Sequence, residues 1–261
     1  MAFKRAHVLV SAALVLGSAH GALAADLYGG SMKDGPSYAP MAPASPSWYL
    51  RLDGNYGAFD TPAISEDGIW DLTDTSIGNT WGIGGGAGAY FGHGFRGDIT
   101  VEHNFDADVA ATQADGAATL PGVRNFSLSS TYALANLYYD FDMGGRFTPY
   151  IGAGLGVTKN TTGAGTVTDL CGCLTGTIAG GEETHAAGAV MAGVSIKLRE
   201  RLSLDAGYRF LYLGEVATGP VNATFTAVHG TNGVGTTVAN DPTVDEIHAH
   251  EFRLGLRYDI Q

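Results

Sequence analysis

The sequence predicts an all-β protein, an eight-stranded antiparallel transmembrane β-barrel with long extracellular loops. Three observations carry that expectation. Apolar residues recur at every second position in eight separate segments, these segments are longer than the strands of soluble sheets, and their connections alternate between tight turns and long stretches.

Composition narrows the field first. Glycine accounts for 39 of 261 residues, hydrophobic residues for 45% and charged ones for 15%. Lysine and arginine total 14 against 26 acids, a net charge of −12. That balance excludes a non-specific nucleic-acid binder, which needs cations to displace counterions from phosphate. The hydrophobic share is too high for an acidic disordered chain. Only 9 prolines, with no Gly-X-Y period, exclude collagen, and two cysteines cannot build a disulfide framework. Glycine in this abundance also disfavours helices, where each costs about 1 kcal/mol relative to alanine.

Residues 1–24 read as an export signal. Lys4 and Arg5 precede the apolar run Val8 to Leu16, and Ala22-Leu23-Ala24 supplies the small residues of a cleavage site. The apolar run is about half the length a membrane-spanning helix needs. Residues 25–47 hold Pro36, Pro40, Pro43 and Pro46 among Ser, Ala and Gly, and read as a periplasmic lead-in with no fold of its own. The barrel is expected over 48–261.

The strands follow in order. Trp48–Tyr56 sets Trp48, Leu50, Leu52 and Tyr56 against Tyr49, Arg51, Asp53 and Asn55. Thr80–Phe91 sets Trp81, Ile83, Ala87, Ala89 and Phe91 against glycines and Tyr90. Phe95–Phe105 sets Phe95, Ile99, Val101 and Phe105 against Arg96, Asp98, Thr100, Glu102 and Asn104. Leu128–Phe141 offers Ala133, Ala135, Leu137, Tyr139 and Phe141 opposite Asn136, Tyr138 and Asp140. In Phe147–Val157, Phe147, Ile151, Leu155 and Val157 oppose Tyr150 and three glycines. Gly188–Leu198 sets Val190, Val194, Ile196 and Leu198 against Ser195 and Lys197. Leu202–Leu213 sets Leu202, Leu204, Tyr208, Phe210 and Tyr212 against Ser203, Asp205 and Arg209. Ala249–Ile260 closes the series, with Phe252, Leu254, Leu256, Tyr258 and Ile260 opposite Glu251, Arg253, Arg257 and Asp259.

A tilted strand needs about 9–11 residues to cross a bilayer, and these segments reach that length. Gly92–Gly94, Asp142–Arg146 and Arg199–Arg201 are tight turns, whereas Gly57–Asn79, Asp106–Ser127, Thr158–Ala187 and Gly214–His248 are long. Short turns on one side and long loops on the other are the layout of an outer-membrane barrel, closed because hydrocarbon offers no partner to an unpaired backbone group. Trp48, Tyr56, Trp81, Phe91, Phe95, Phe105, Phe147, Tyr212 and Tyr258 lie near strand ends, where interfacial aromatic girdles belong.

Several stretches resemble the small outer-membrane β-barrels of Gram-negative bacteria, the OmpA/OmpX-like group and especially its porin-like surface antigens. Ala24-Ala25-Asp26-Leu27 is similar to the family's mature start. Asn136-Leu137-Tyr138-Tyr139-Asp140-Phe141 with Thr148-Pro149-Tyr150-Ile151-Gly152-Ala153-Gly154-Leu155-Gly156 is similar to its central hairpin, and Arg253-Leu254-Gly255-Leu256-Arg257-Tyr258 to its closing strand. The resemblance implies location in the outer membrane, contact with its lipids, and assembly by the barrel insertion machinery. Such barrels usually end on Phe or Trp, whereas this chain ends Tyr258-Asp259-Ile260-Gln261. The assembly signal is then expected to reside in Arg253, Gly255, Tyr258 and Ile260.

Charge location says more than total charge. The four long segments hold fifteen acids and two bases, Arg124 and Lys159. The inward faces hold seven acids (Asp53, Asp98, Glu102, Asp140, Asp205, Glu251, Asp259) and six bases (Arg51, Arg96, Lys197, Arg209, Arg253, Arg257). An eight-stranded barrel is just wide enough for side chains to fill it, so a near-neutral lumen of paired charges is expected to be plugged or barely conducting. Gly82, Gly84, Gly86 and Gly88, with Gly152, Gly154 and Gly156, are expected to leave room for long Arg and Tyr side chains opposite. Gly82-Ile83-Gly84-Gly85-Gly86-Ala87 imitates a dinucleotide fingerprint, but neither the following helix nor a βαβ unit is present.

Catalysis has no support in this pattern. There is no Gly-x-Ser-x-Gly elbow, and His250 and Glu251 alternate faces. His185, His229, His248 and His250 lie in or beside the long loops, and His248 and His250 share a strand face. Because the resembling family includes haem binders, these four are the candidates for a haem or metal site; no cofactor is expected otherwise. Cys171-Gly172-Cys173 admits a strained loop disulfide in an oxidising exterior, a soft-metal pair, or neither. The function expected is structural and at the surface: membrane integrity, with adhesion or antigenic display to a host or surface ligand through acidic loops. A narrow porin for small solutes is the alternative, and nucleic acid is not a partner.

Overall fold

The computed structural model describes residues 47–66, 70–113, 122–169, 174–225, 235–239 and 242–260. The signal and lead-in segments, Cys171, Cys173 and His229 lie outside them. Among the described residues, eight long strands form one closed barrel: β1 Trp48–Phe59, β2 Thr80–Gly92, β3 Phe95–Gln113, β4 Gly122–Asp140, β5 Phe147–Thr162, β6 Gly181–Arg199, β7 Leu202–Tyr212 and β8 His248–Ile260. Each pairs antiparallel with the next in chain order. The ring closes where β8 lies against β1, with Trp48 opposite Ile260 and Phe59 opposite Ala249.

The period-two pattern becomes an inverted protein. Leu52, Trp81, Ile99, Leu155 and Phe252 stand out from the wall, 59–76% exposed, while Arg96, Arg209 and Glu251 inside are fully buried. A soluble protein cannot present so much contiguous apolar surface to water. In lipid the same surface is solvated, and the closed ring leaves no backbone edge unpaired. Three tight connections share the end of the barrel that carries the chain's entry and exit. There Gly92, His93 and Gly94 all have positive φ, and Asp259 N–H donates to the Arg201 carbonyl at 2.9 Å.

The opposite end departs from the sequence expectation. Asp106–Ser127 and Thr158–Ala187 read as long loops in the sequence, yet much of each is strand, because β3 runs to Gln113, β4 starts at Gly122, β5 runs to Thr162 and β6 starts at Gly181. The sense of the alternation changes on the way. A bulge interrupts the β3–β4 register between Asn104 and Ala107. Before it, Arg96, Asp98, Thr100, Glu102 and Asn104 are buried; after it, Ala107, Val109 and Ala111 are. An extra residue shifts side-chain parity by one, which a bulge achieves without ending the strand.

Beyond the bulge the interior gains an apolar cluster beside buried polar groups such as Arg124 and Asn160. Phe126 and Leu128 of β4, Leu211 of β7, and Leu213, Val216, Val221, Val244 and Ile247 from the connections belong to one buried cluster. Short strands widen this end. Trp70–Ile77 pairs with the far part of β3, and Gly165–Asp169 pairs with the start of β4. Leu174–Ile178 joins Gly165–Asp169 to Val221–Phe225, and Ala63–Glu66 pairs with Thr243–Asp245. The long segments therefore form a β-structured cap whose apolar core is continuous with the barrel interior.

Candidate functional site

The lumen carries the densest chemistry. Arg209 (β7) faces Glu102 (β3) with Nη1–Oε1 at 2.7 Å and Nη2–Oε2 at 2.8 Å, and its Nε donates to Glu251 (β8) at 2.7 Å. Its Nη2 also bonds Glu251 and donates to Tyr132 Oη (β4) at 2.6 Å. Arg253 reaches Glu102 at 3.1 Å and Asp53 at 3.4 Å. Arg51 bridges Asp53 and Asp98, both at 2.8 Å, and donates to Tyr138 Oη. These strands bring alternating charges together because inward residues on neighbouring strands fall at one level of the barrel.

Nearer the tight-turn end the pattern repeats with aromatic support. The buried Arg96 donates to both oxygens of Asp140 at 2.9–3.0 Å, and its guanidinium lies 3.9 Å from the Tyr138 ring centroid. Arg257 pairs with Asp205 at 3.2 Å and donates to Ser195, whose hydroxyl bonds Asp205. Asp259 sits at the rim and accepts from Tyr90 at 2.9 Å. Lys197 shares the inward parity of Ser195 but is exposed at the mouth.

Glycines make the room, although the neighbours are more varied than Arg and Tyr. A Cβ on Gly88 would lie 2.5 Å from the Tyr49 ring, and one on Gly152 would lie 2.6 Å from the Tyr138 ring. Gly82 faces Asn104 and Asn55, Gly84 faces Glu102, and Gly154 faces Asn136. Gly86 and Gly156 face neighbouring backbone carbonyls, so their cause is close strand approach. Gly193 and Gly207 clear the Tyr150 hydroxyl, each at 2.6 Å, a role that single-strand patterning did not reveal.

Three of the candidate histidines are described, two on β8 and one on β6. His248 and His250 project from the outer wall with Phe252, where the His248 ring stacks on Phe210 at 5.4 Å. His250 is held between Tyr208 Oη, 2.5 Å from Nδ1, and Asp60 Oδ1, 2.9 Å from Nε2. His185 instead shares the inward parity of the buried Ala187 and Ala189. Among the described residues, β8 turns His248 and His250 outward and β6 turns His185 inward; His229 lies outside them.

A buried polar lumen inside an apolar outer wall has a counterpart in known sequences. The family model for the outer membrane protein β-barrel domain matches residues 10–259. The chain belongs to that family. It is therefore an outer-membrane protein embedded in lipid through β1–β8, and the tight turns mark the periplasmic end while the cap is extracellular. An uncharacterised protein of Brucella abortus (strain 2308) is 27% identical over 255 residues, covering 87% of this chain and 89% of that one. A Rickettsia bellii (strain OSU 85-389) protein named as a candidate adhesin is 23% identical over 219 residues, covering 82% and 88%. Among solved structures, the outer membrane protein OprG from Pseudomonas aeruginosa matches with TM-score 0.46 and 15% identity, over 83% of this chain and 97% of its own. Neisserial surface protein A matches with TM-score 0.42 and 19% identity, over 81% and 96%.

The barrel's extracellular cap carries its own electrostatic strain. Burial, and then the nearby Glu215 and Glu246 carboxylates, push the Asp245 carboxyl above its ordinary value. The Asp60–His250–Tyr208 chain and the Glu215–Asp245 neighbourhood escaped sequence reasoning. Their members lie far apart in sequence, and only ring closure and cap pairing bring them together.

Proposed function

We propose that this protein is a non-conducting, non-catalytic anchor that displays an acidic β-structured cap at the cell surface for adhesion or antigenic contact. One observation carries the reading: Arg209 crosses the lumen to bind Glu102, Glu251 and Tyr132, tying four strands together with Arg209 and both carboxylates at 0% side-chain exposure. A solute path would have to break charge pairs in a low-dielectric interior, where stranding one charge costs several kcal/mol. Apolar packing of Phe126, Leu128, Leu211 and Leu213 above that layer adds a second obstruction. The adhesin name of the Rickettsia relative agrees with a surface role.

Outer-membrane lipid and the barrel insertion machinery are the partners of assembly, and a host or surface ligand is the partner of the cap. Liposome swelling separates this reading from a narrow porin. Proteoliposomes of the refolded protein are expected to swell in small sugars no faster than protein-free vesicles. Solute-size-dependent swelling would establish the porin instead.

A further inference from the structure

Above the membrane, β6 places Glu183 and His185 two residues apart on its inward face, and the segment after β7 brings Glu215 to meet them. One oxygen from each carboxylate and one imidazole nitrogen lie within 4.8 Å of one another. We propose that Glu183, His185 and Glu215 form an extracellular binding site for a divalent first-row transition metal, with Zn²⁺ as the reference ion.

The donor set selects the ion. Two carboxylates and one imidazole suit a borderline metal such as Zn²⁺, whereas Ca²⁺ and Mg²⁺ prefer all-oxygen sites. Glu183 Oε2 and His185 Nε2 are 3.2 Å apart. The two are hydrogen-bonded to each other; two ligands on a tetrahedral ion with bonds of about 2.0–2.1 Å stand about 3.3–3.4 Å apart, so an ion replacing that bond needs little change in their spacing. Glu215 is exposed and approaches from a separate segment, so its side chain can close the remaining distance.

Close packing and hydrogen bonds support the triad from below. Gly214 adopts φ +74°, and a Cβ there would lie 2.5 Å from His185 Cβ, so only glycine lets this turn pack against the histidine. Asn160, fully buried, donates to the carbonyls of Leu213 at 2.7 Å and Glu215 at 3.2 Å. Its own side-chain oxygen accepts from Ser130 at 2.8 Å and Thr158 at 3.1 Å. Ile247 N–H donates to the Gly214 carbonyl at 2.7 Å. These bonds hold the Glu215 backbone beside His185 before any ion arrives, which is the role that supporting shells play in known metal sites.

Surrounding charge favours a cation, while the imidazole of His185 supplies the preference for a borderline metal. Lys159 on adjacent β5 pairs at 2.8 Å with Glu182, which alternates to the opposite face of β6 from the triad. Glu215 also lines a cavity of about 740 Å³ whose other polar walls include Asp60, Asp245, Glu246 and His248. That cavity gives an ion on Glu215 open space for water or for a donor from a surface ligand.

Isothermal titration of the refolded full barrel in detergent tests the site, with Co²⁺ absorption reporting nitrogen and oxygen ligation. Zn²⁺ is expected to bind with one ion per chain and to displace Co²⁺. His185→Ala and Glu215→Gln should each weaken binding by at least about tenfold, while Glu182→Gln leaves it unchanged. Each variant must keep the heat-modifiable gel shift of a folded barrel. Unchanged Zn²⁺ affinity in folded His185→Ala, or equal competition by Ca²⁺, would overturn the site and leave a hydrogen-bonded pair within a diffuse acidic surface.

Discussion

The Arg209 guanidinium and the Glu102 carboxylate meet edge to edge inside the barrel, two parallel bonds of 2.7 and 2.8 Å between side chains that are fully buried. Paired in this way, each charge replaces part of the hydration the other lost. Arg209 keeps Glu251 when Glu102 is lost, and Glu102 keeps Arg253 when Arg209 is lost, so each single removal leaves the buried network one charge out of balance. Glu102→Gln or Arg209→Met is expected to destabilise the folded barrel by about 3–5 kcal/mol, while the double replacement recovers part of that loss. Urea unfolding in lipid vesicles, read as a double-mutant cycle, checks both statements.

Gly88 faces the Tyr49 ring across the β1–β2 pairing, at 2.5 Å from where a Cβ would stand. Tyr49 is buried and donates to Asp98 at 3.0 Å, so the ring has little freedom to withdraw. Gly88→Ala should therefore cost about 1–3 kcal/mol. The same substitution at Gly145, where a Cβ meets nothing, should be near neutral in the same unfolding assay.

Val101 and Ile99 lie on the outer wall of β3, 55% and 59% exposed, while Thr100 between them is buried. An arginine at position 101 would face lipid and is expected to destabilise by about 2–4 kcal/mol if it lies near the bilayer midplane. Folding yield into vesicles and the unfolding midpoint both report the effect.

Asp245 supplies a pH dependence with a definite sign. Its carboxyl is held above the ordinary value in the folded cap by burial and by Glu215 and Glu246, so the folded state binds this proton more tightly than the unfolded chain does. The ionised form therefore costs stability at neutral pH, and the cost disappears once acid protonates the group in both states. Asp245→Asn should raise the melting temperature at pH 7, with the gain shrinking toward pH 3. Calorimetry at the two pH values measures it.

Tyr258 and Ile260 face outward on β8, 49% and 40% exposed, while Arg253 and Arg257 face inward. A terminal strand read by the insertion machinery should present that outward pair to its receptor. Tyr258→Asp is expected to reduce the heat-modifiable, membrane-inserted fraction in cells. Undiminished assembly would remove Tyr258 from the signal.

The wall was legible in the sequence because the bilayer enforces one rule on every strand. Phe252, Leu254 and Leu256 of β8 must meet lipid, so Glu251, Arg253 and Arg257 alternate against them without exception. Outside the bilayer that rule lapses. Ala107 and Val109 of β3 still alternate, but their parity changes at the bulge, and Phe126 of β4 turns an apolar side chain inward, so Asp106–Ser127 reads as loop. Contacts such as His250 with Asp60 and Tyr208, or Glu215 beside His185, join residues from separate strands or segments. They depend on barrel closure and cap pairing, which no single-strand pattern encodes.

The central claim is a closed lumen beneath a surface cap, and single-channel recording in planar bilayers tests it most directly. The refolded wild-type barrel is expected to insert without stable conductance steps. Large, long-lived, uniform steps would contradict the account, because ions could then pass the Arg209–Glu102–Glu251 layer with its charges in place.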